Sequence, residues 1–414
     1  MSRWNSPYLH HLLSSPLISF SLIIFLVSVG DAIMSYLSPI YIEKHVSNTL
    51  IMGLVISFSS LVGFLFDLYI PKLFSGKGYS FFSWVTIIAA IMFPVFFILF
   101  PPVIAVFLLG MAAWGIYYEF LHFSQFHFIS RFLPVNQFAR GWGILTAFKS
   151  AAYLVGPLIA VLVIPKGFDL SFSSAFLFFT AASLALWIFN RAIPKKHPSP
   201  FTIAPTKLPI SHVIKVWSIL WKKIWPLYIF LFFLSVIDST FWTIGTILSE
   251  TLRADSFIGG LLLPAYSLPA LFISLFAQKV AGPVGKKRAA FITAAIAGVI
   301  LLPIGFISSA PVLVAIVFFA SLFLSLSFPE IFAVFEDYVK RLGRSGDEMI
   351  GLQSSAVSLS YILGPVIIGA LADWLGPQMT FTIVGLILVL ISLLAIIIVP
   401  RKIRLPEAQI SAVL

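Results

Sequence analysis

The sequence predicts an all-α integral membrane protein with about twelve transmembrane helices, arranged as two pseudo-symmetric bundles of six. Three observations support this fold class. Of the 414 residues, 60% are hydrophobic and only 10% are charged, so a soluble core could not bury the apolar surface. Apolar segments long enough to cross a bilayer recur along the whole chain. Residues of the first half return in the second half at a nearly constant spacing.

The apolar segments each contain about the 20 residues that a helix needs to cross the hydrocarbon layer. They are predicted near residues 17–41, 50–70, 80–100, 103–129, 142–164, 172–190, 224–249, 256–277, 289–308, 311–335, 350–372 and 378–399. This gives a first six-helix bundle over residues 1–190 and a second over residues 224–414.

Residues 191–223 are predicted to form a cytoplasmic linker between the bundles. Its first part is rich in proline and basic residues, which favours an extended, exposed chain. From residue 211 onward, Val216, Leu220 and Trp221 fall on one helical face, and lysines lie nearby. We interpret this part as an amphipathic helix on the cytoplasmic leaflet, with an ordinary cytosolic linker helix as an equal alternative.

The basic residues are distributed unevenly between the two sides of the predicted topology. The chain has 26 lysines and arginines and a net charge of +11. Only Lys44, Lys166 and Arg253 fall in one set of alternate loops, and Lys149 falls inside a segment. The positive-inside rule therefore places both termini in the cytoplasm. We expect the protein to lie in the inner (cytoplasmic) membrane. The positive charge indicates orientation, and no nucleic-acid partner is predicted.

The internal repeat includes ionisable residues. Asp31 and Asp238 are 207 positions apart, each three residues after a serine. Residues 153–157 (Tyr-Leu-Val-Gly-Pro) return as residues 361–365 (Tyr-Ile-Leu-Gly-Pro), 208 positions later. Two copies of a helical bundle in one membrane chain are typical of a transporter that moves one half against the other.

The two halves, the basic linker and several local motifs resemble the major facilitator superfamily (MFS) of secondary transporters. The motif residues, which we assign to gating by this resemblance, are Gly63, Asp67, Lys72, Arg140, Gly156, Pro157, Gly364 and Pro365. The sequence departs from the family pattern after Asp67, because the usual arginine and glycine are missing and Lys72 comes late. Gly156 and Pro157 in the fifth segment resemble part of the glycine-rich run of the family's antiporters, but Ala152 and Ala160 stand where further glycines would be, so the antiporter interpretation stays open.

Charged side chains inside membrane segments are costly, so each is a candidate functional residue. The candidates are Asp31, Glu119, Lys149, Asp238 and Glu330, with His122 one helical turn after Glu119. In the family, the first, fourth, seventh and tenth helices line the central cavity, and four of these five residues lie on them. All six residues are therefore assigned to proton coupling or to the substrate cavity.

Glu119 and Lys149 are predicted to form an ion pair. At about 1.5 Å per residue they lie about 18 Å and about 13 Å above the cytoplasmic ends of their neighbouring helices. A pair would relieve the burial cost of both charges. The alternative is that Lys149 extends to the cytoplasmic interface and Glu119 contacts water. His122 is predicted either to exchange a proton with Glu119 or to serve only in packing.

Asp31 and Asp238 occupy equivalent places near the middle of the membrane, where a carboxylate can carry a coupled proton. A shared structural use, with each aspartate bonding to nearby backbone, is the rival interpretation.

Glu330 follows Pro329, which is expected to bend its helix. Aromatic residues near these acids are predicted to supply cavity walls, and they are Tyr36, Trp114, Tyr117, Tyr118 and Trp242.

These features predict a secondary active transporter that moves a small organic solute by alternating access and is coupled to protons. Carboxylates outnumber basic residues in the segments, which favours a neutral or cationic substrate over a large anion. Drug or metabolite efflux is favoured slightly over nutrient uptake. The alternatives are Na⁺ coupling, a lipid translocator and a membrane sensor that transports nothing. No enzyme activity, metal or other cofactor is predicted, and we expect a monomer.

Overall fold

The computed structural model describes residues 16–74, 77–133, 138–192, 210–273, 284–342, 346–400 and 403. Within these ranges, the side chains of residues 67–72, 138–140, 210–214 and 346–347 lie outside the description. The described residues form helices and turns without a strand. An α-helix satisfies its own backbone hydrogen bonds, which apolar surroundings require.

Thirteen α-helices are found in the described residues, and we number them in chain order. The first bundle contains α1 (Pro16–Val46), α2 (Thr49–Leu73), α3 (Tyr79–Leu99), α4 (Ile104–Phe132), α5 (Phe138–Val163) and α6 (Phe168–Ala192). The rest of the chain contains α7 (Ile210–Trp242), α8 (Ile244–Asp255), α9 (Leu262–Ser267), α10 (Lys286–Leu301), α11 (Ala310–Leu342), α12 (Gly346–Leu375) and α13 (Pro377–Ile398).

Eleven helical segments in the described part of the chain are long and apolar enough to cross a membrane. They correspond to eleven of the twelve predicted segments. The described part of the eighth is a shorter apolar stretch, Phe257–Leu271, in which α9 is flanked by 3₁₀ turns. The predicted helical membrane fold is therefore confirmed, with an irregular eighth segment.

The seventh segment consists of two helices that meet at Thr243. In this region hydroxyl groups donate to backbone carbonyls one turn earlier: Thr240 to Val236 at 2.8 Å and Thr243 to Ser239 at 2.7 Å. Such bonds compete with the regular helical ladder and favour a bend. The equivalent part of α1 is continuous, so the second half is less regular here than the first.

The interpretation of residues 211–223 as a separate helix on the membrane surface is wrong. These residues are the first part of α7, which continues into the membrane segment without a break. Val216, Leu220 and Ile224 are fully buried, so their face packs against protein. An apolar stripe on a helix indicates that the face is buried, but it does not distinguish lipid from a neighbouring helix. Residues 193–209 lie outside the description.

The chain divides into two compact units. The first comprises residues 1–45 and 58–205, and in it α3 packs along α4 and α6. The second comprises residues 46–57 and 206–414, and in it α10 packs along α11 and α13, while α12 packs along α7. The first turns of α2 therefore group with the second unit, although α2 continues into the first.

Candidate functional site

The first unit contains a buried carboxylate that is held by aromatic side chains. Asp31 lies in the middle of α1 and is 1% exposed. The Trp114 indole nitrogen donates to it at 2.8 Å, and the Tyr118 hydroxyl lies 3.2 Å from both of its carboxylate oxygens. The Tyr153 hydroxyl on α5 also donates to it. Three helices thus contribute to one carboxylate site.

Lys149 supplies a positive charge to the same site. It lies on α5 one turn before Tyr153, and its ammonium nitrogen is 5.9 Å from the centre of the Tyr153 ring. The carboxylate that acts on Lys149 electrostatically is Asp31. Asp31 is thus an electrostatic partner of Lys149 that was not predicted, and the pairing of Lys149 with Glu119 stays a prediction. Counting residues along each helix placed both groups at a similar depth, but it gave no information about their direction around the helix axis.

A close helix crossing fixes the geometry of the Asp31 site. A Cβ added to Gly156 on α5 would lie 2.4 Å from the Cβ of Ala32, the residue after Asp31. Glycine at this position therefore lets α5 approach α1 directly. Tyr153 precedes Gly156 by one turn and shares its helical face, so the same approach brings the Tyr153 hydroxyl to the carboxylate.

The second unit contains a matching carboxylate. Asp238 on α7 accepts hydrogen bonds from the hydroxyls of Tyr266 on α9 and Tyr361 on α12. Trp242, one turn later on α7, also bonds to this carboxylate. Phe241 stacks on the Tyr266 ring with 3.9 Å between ring centroids. Each aspartate is thus held by two tyrosines and one tryptophan.

The helix crossing is also repeated in the second unit. A Cβ added to Gly364 on α12 would lie 3.1 Å from the hydroxyl oxygen of Ser239, the residue after Asp238. Tyr361 precedes Gly364 by one turn, as Tyr153 precedes Gly156. The common unit is an aspartate, a tyrosine that donates to it and a glycine that packs beside it. The other tyrosine and the tryptophan of each site come from positions that are not equivalent.

The two sites differ in charge and exposure. In the part of the chain that the structure describes, the groups acting on Asp238 are hydrogen-bond donors without a lysine or arginine, whereas Lys149 acts on Asp31. Asp238 also remains partly exposed, whereas Asp31 is fully buried. The two units therefore share the aspartate, tyrosine and glycine, but only the first site has a lysine of the protein acting on its aspartate.

The other predicted ionisable residues lie apart from these two sites. A Cβ added to Gly63 on α2 would be 3.1 Å from a Glu119 carboxylate oxygen, so Glu119 packs against that helix. His122 is exposed, and its ring centroid lies 6.0 Å from that of Trp142. Glu330 is buried on α11, where Lys286 acts on it electrostatically. Functional roles for these residues stay predictions.

Several other predicted residues have defined positions. Tyr36 and Tyr117 are buried in the first unit, on α1 and α4. Pro157 and Pro365 lie inside α5 and α12. The side chains of Asp67, Lys72 and Arg140 lie outside the described residues. Among the residues that the structure describes, no group of three histidine, cysteine, aspartate or glutamate side chains is arranged to hold a metal ion.

Three tyrosines of the two sites were not predicted from the sequence, and they are Tyr153, Tyr266 and Tyr361. A signal for two of them was present, because Tyr153 and Tyr361 stand at equivalent places in the repeated segment that ends in glycine and proline. Tyr266 has no such signal, since its position in the irregular eighth segment depends on the fold.

The start of α2 makes a set of close contacts with α12 inside the second unit. A Cβ added to Gly369 would lie 2.3 Å from the carbonyl oxygen of Thr49, and the Thr49 hydroxyl donates to the Gly369 carbonyl at 2.8 Å. The Asn48 amide donates to the Asp373 carboxylate at 3.2 Å. A Cβ at Gly53 would overlap the α12 backbone. The close approach of α2 and α12 therefore requires glycine at positions 53 and 369.

Comparison with known proteins supports the family resemblance. Residues 227–413 match the family model of the Major Facilitator Superfamily. No curated protein sequence gives a significant match to the chain. The fold is similar to that of a POT family transporter solved with 5-aminolevulinic acid, with a TM-score of 0.72 and 13% identity over 93% of this chain and 96% of that one.

Two further solved structures have the same fold. The nucleoside transporter NupG gives a TM-score of 0.71 at 12% identity, covering 94% of this chain and 100% of that chain. The human organic anion transporter MFSD10 gives a TM-score of 0.65 at 15% identity, covering 92% of this chain and 98% of that chain. The similarity therefore extends over nearly the whole length of each protein.

The chain therefore has the fold of these multi-pass membrane transporters, with eleven described helical segments that are long and apolar enough to cross a membrane. The match to the Major Facilitator Superfamily model is confined to residues 227–413, whereas the similarity of fold to these solved transporters covers more than 90% of the chain. The family resemblance inferred from the sequence is supported by the family model over residues 227–413.

Proposed function

We propose that this protein is a secondary active transporter of the cytoplasmic membrane that moves a small organic solute by alternating access and is coupled to protons. The single observation that supports coupling most strongly is the buried Asp31 carboxylate, which is held by three aromatic donors and lies beside Lys149. A carboxylate in such surroundings is costly when charged, and a proton removes the charge.

Proton binding at Asp31 would change the contacts that join two helices. A neutral Asp31 no longer attracts Lys149, and one of its oxygens becomes a donor instead of an acceptor. Because Ala32 packs directly on Gly156, these changes occur at the crossing of α1 and α5. A proton at this site therefore favours a different arrangement of the two helices, which is what coupling to a transport cycle requires.

The test is substrate-dependent proton movement in proteoliposomes that contain the purified protein. Pools of sugars, amino acids, organic cations and lipophilic drugs are added to the wild type and to the Asp31→Asn variant. We expect proton flux with one pool in the wild type and loss of that flux in the variant. Asp169→Asn changes an exposed aspartate at the start of α6 and should leave the flux unchanged.

The direction of coupling is measured with an imposed pH gradient. Efflux by exchange predicts that the solute moves opposite to the protons, whereas uptake predicts that both move together. We expect exchange, because the Gly156 and Pro157 pair resembles that of the family's antiporters. Proton flux that survives Asp31→Asn unchanged would contradict the proposed role of Asp31. Solute transport that requires Na⁺ and moves no protons would contradict proton coupling itself.

A further inference from the structure

The Asp238 and Asp31 sites share an aspartate, a tyrosine and a glycine at equivalent positions, but only the Asp31 site has a lysine beside it. Lys149 stands one turn before Tyr153, and the residue one turn before Tyr361 is Val357. Residues one turn apart share a helical face, so Val357 occupies the place that the lysine has in the first half. The second half thus keeps the carboxylate and the tyrosine but lacks the internal cation.

The surroundings of Asp238 fit a cation that comes from outside the protein. Asp238 is partly exposed as a residue, and the described partners of its carboxylate are the side chains of Tyr266, Tyr361 and Trp242, none of which is positively charged. A carboxylate within a membrane segment is stabilised by an opposite charge. In the second unit, no described lysine or arginine acts on it.

The site also offers the groups that recognise an organic ammonium ion. Two aromatic side chains, Tyr266 and Trp242, bond to the Asp238 carboxylate, and aromatic rings attract cations. The fully buried Phe241 ring stacks on Tyr266 and supports it from behind. The Ser235 hydroxyl lies one turn before Asp238, is buried and has no hydrogen-bond partner among the described residues. It can accept a hydrogen bond from an ammonium N–H group beside the carboxylate.

We propose that the Asp238 site binds the protonated amine of a cationic organic substrate, while the Asp31 site, with its own lysine, does not. This inference rests on the proposed transport function and names its substrate class. The two equivalent aspartate sites then have different functions: the site in the second half binds the cation, and the site in the first half couples transport to protons.

The experiment uses the full-length protein in lipid nanodiscs and a series of aryl-alkyl ammonium ions, each paired with the alcohol of the same carbon skeleton. Thermal stabilisation across a concentration series gives the apparent affinity. We expect at least one ammonium ion to stabilise the wild type and its paired alcohol to have no effect. Asp238→Asn should weaken ammonium binding roughly 30-fold or more, because the charge partner is lost.

A second pair of variants keeps the test valid if Asp238→Asn fails to fold. Val357→Lys introduces the cation that the first half already has, and it should abolish ammonium binding. Val357→Met adds a side chain of similar length without charge and should preserve binding. The inference is overturned if ammonium binding survives Val357→Lys, if alcohols bind as well as ammonium ions, if sodium chloride alone gives the same stabilisation, or if no ammonium ion stabilises the protein.

The proposed function fails independently of this inference. Proton flux that requires Asp31 and is driven by neutral solutes, without ammonium binding, would support the transport proposal and overturn the cation site. Ammonium binding that requires Asp238, without proton flux in proteoliposomes for any solute pool, would support the cation site and contradict proton coupling.

Discussion

At the residue scale, the electrostatic interaction between Lys149 and Asp31 is the feature of the site that the sequence did not predict. Both residues were identified because charges are rare in membrane segments, and this criterion was sufficient to find them. Their pairing depends on the rotation of α1 and α5 about their axes, which spacing along the chain does not give. The tyrosines were missed for a related reason, since an aromatic residue is common in an apolar segment and is not conspicuous there.

The Asp31–Lys149 pair makes a quantitative prediction. Lys149→Met should lower the free energy of unfolding by about 3 kcal/mol, because it leaves a buried carboxylate without its counter-charge. Adding Asp31→Asn should recover most of this loss. Unfolding in detergent, followed by tryptophan fluorescence, measures both effects. Lys166→Met, in an exposed turn, is the control and should change little. Equal losses in the single and double variants would show that the two charges do not interact.

The repeated tyrosine contact makes a second prediction at this scale. Tyr153→Phe and Tyr361→Phe each remove a donor to a carboxylate, so each should cost about 2 kcal/mol of stability. Tyr228→Phe is the matched control: its hydroxyl lies 3.2 Å from that of Ser355, a neutral partner, and its loss should cost about 1 kcal/mol. The midpoints of thermal unfolding rank the three variants. A larger effect in Tyr228→Phe would contradict the importance of the aspartate contacts.

At the scale of helices, the glycine crossings depend on the absence of a side chain at one point. Gly156→Ala places a methyl group 2.4 Å from the Cβ of Ala32, so α5 has to move away from α1. We expect a loss of about 1–3 kcal/mol, as is usual for overpacked sites. Gly143→Ala is a control in the same helix, since no atom lies within 4 Å of its added Cβ. Its stability should not decrease.

The two crossings should differ in their sensitivity. At Gly364 the nearest atom to an added Cβ is the Ser239 hydroxyl oxygen at 3.1 Å, which can rotate away, whereas Ala32 has no rotatable group. Gly156→Ala is therefore expected to lower stability and transport more than Gly364→Ala. Measuring the unfolding midpoint and initial transport rate of both variants decides this. A greater loss at Gly364 would mean that the crossing in the second unit is the tighter one.

Hydropathy predicted the helices better than it predicted their continuity. The long segments were found because lipid requires an unbroken apolar stretch of about 20 residues. The eighth segment is equally apolar but is divided into short pieces, and the seventh is interrupted after Trp242 by side-chain hydroxyls that bond to the backbone. A hydropathy profile depends only on residue types, so it gives no information about hydrogen bonds between side chains and the backbone. The stripe containing Val216 and Leu220 was assigned to lipid for the same reason, although these residues pack against protein.

At the scale of the whole molecule, the absence of cysteine makes the contact between α2 and α12 testable. Replacing Asn48 and Asp373 by cysteine and joining them with a short bifunctional thiol reagent should stop transport, and reduction should restore it. The reason is that residues 46–57 group with the second unit while the rest of α2 belongs to the first. Each single cysteine variant, treated in the same way, is the control. Full transport by the cross-linked protein would show that this contact does not open during the cycle.

The sequence was most informative about the whole molecule and least informative about groups of side chains. Composition, segment number and the repeat predicted the helical membrane fold, because these are sums over many residues. The Asp31 and Asp238 positions were found through the same repeat. The grouping of residues 46–57 with the second unit was not predicted, since it depends on close backbone contacts at Gly53 and Gly369 that have no local pattern.

The shared aspartate, tyrosine and glycine also carry information about ancestry. If both halves descend from one duplicated gene segment, features found at equivalent places in both halves were present before the copies diverged. By this criterion the helix crossing with its tyrosine–aspartate contact is ancient, whereas Lys149 and the interruption after Trp242 arose or were lost in one copy only. The ancestral half therefore already possessed a carboxylate held at a helix crossing, and what evolved afterwards was the difference between the two copies.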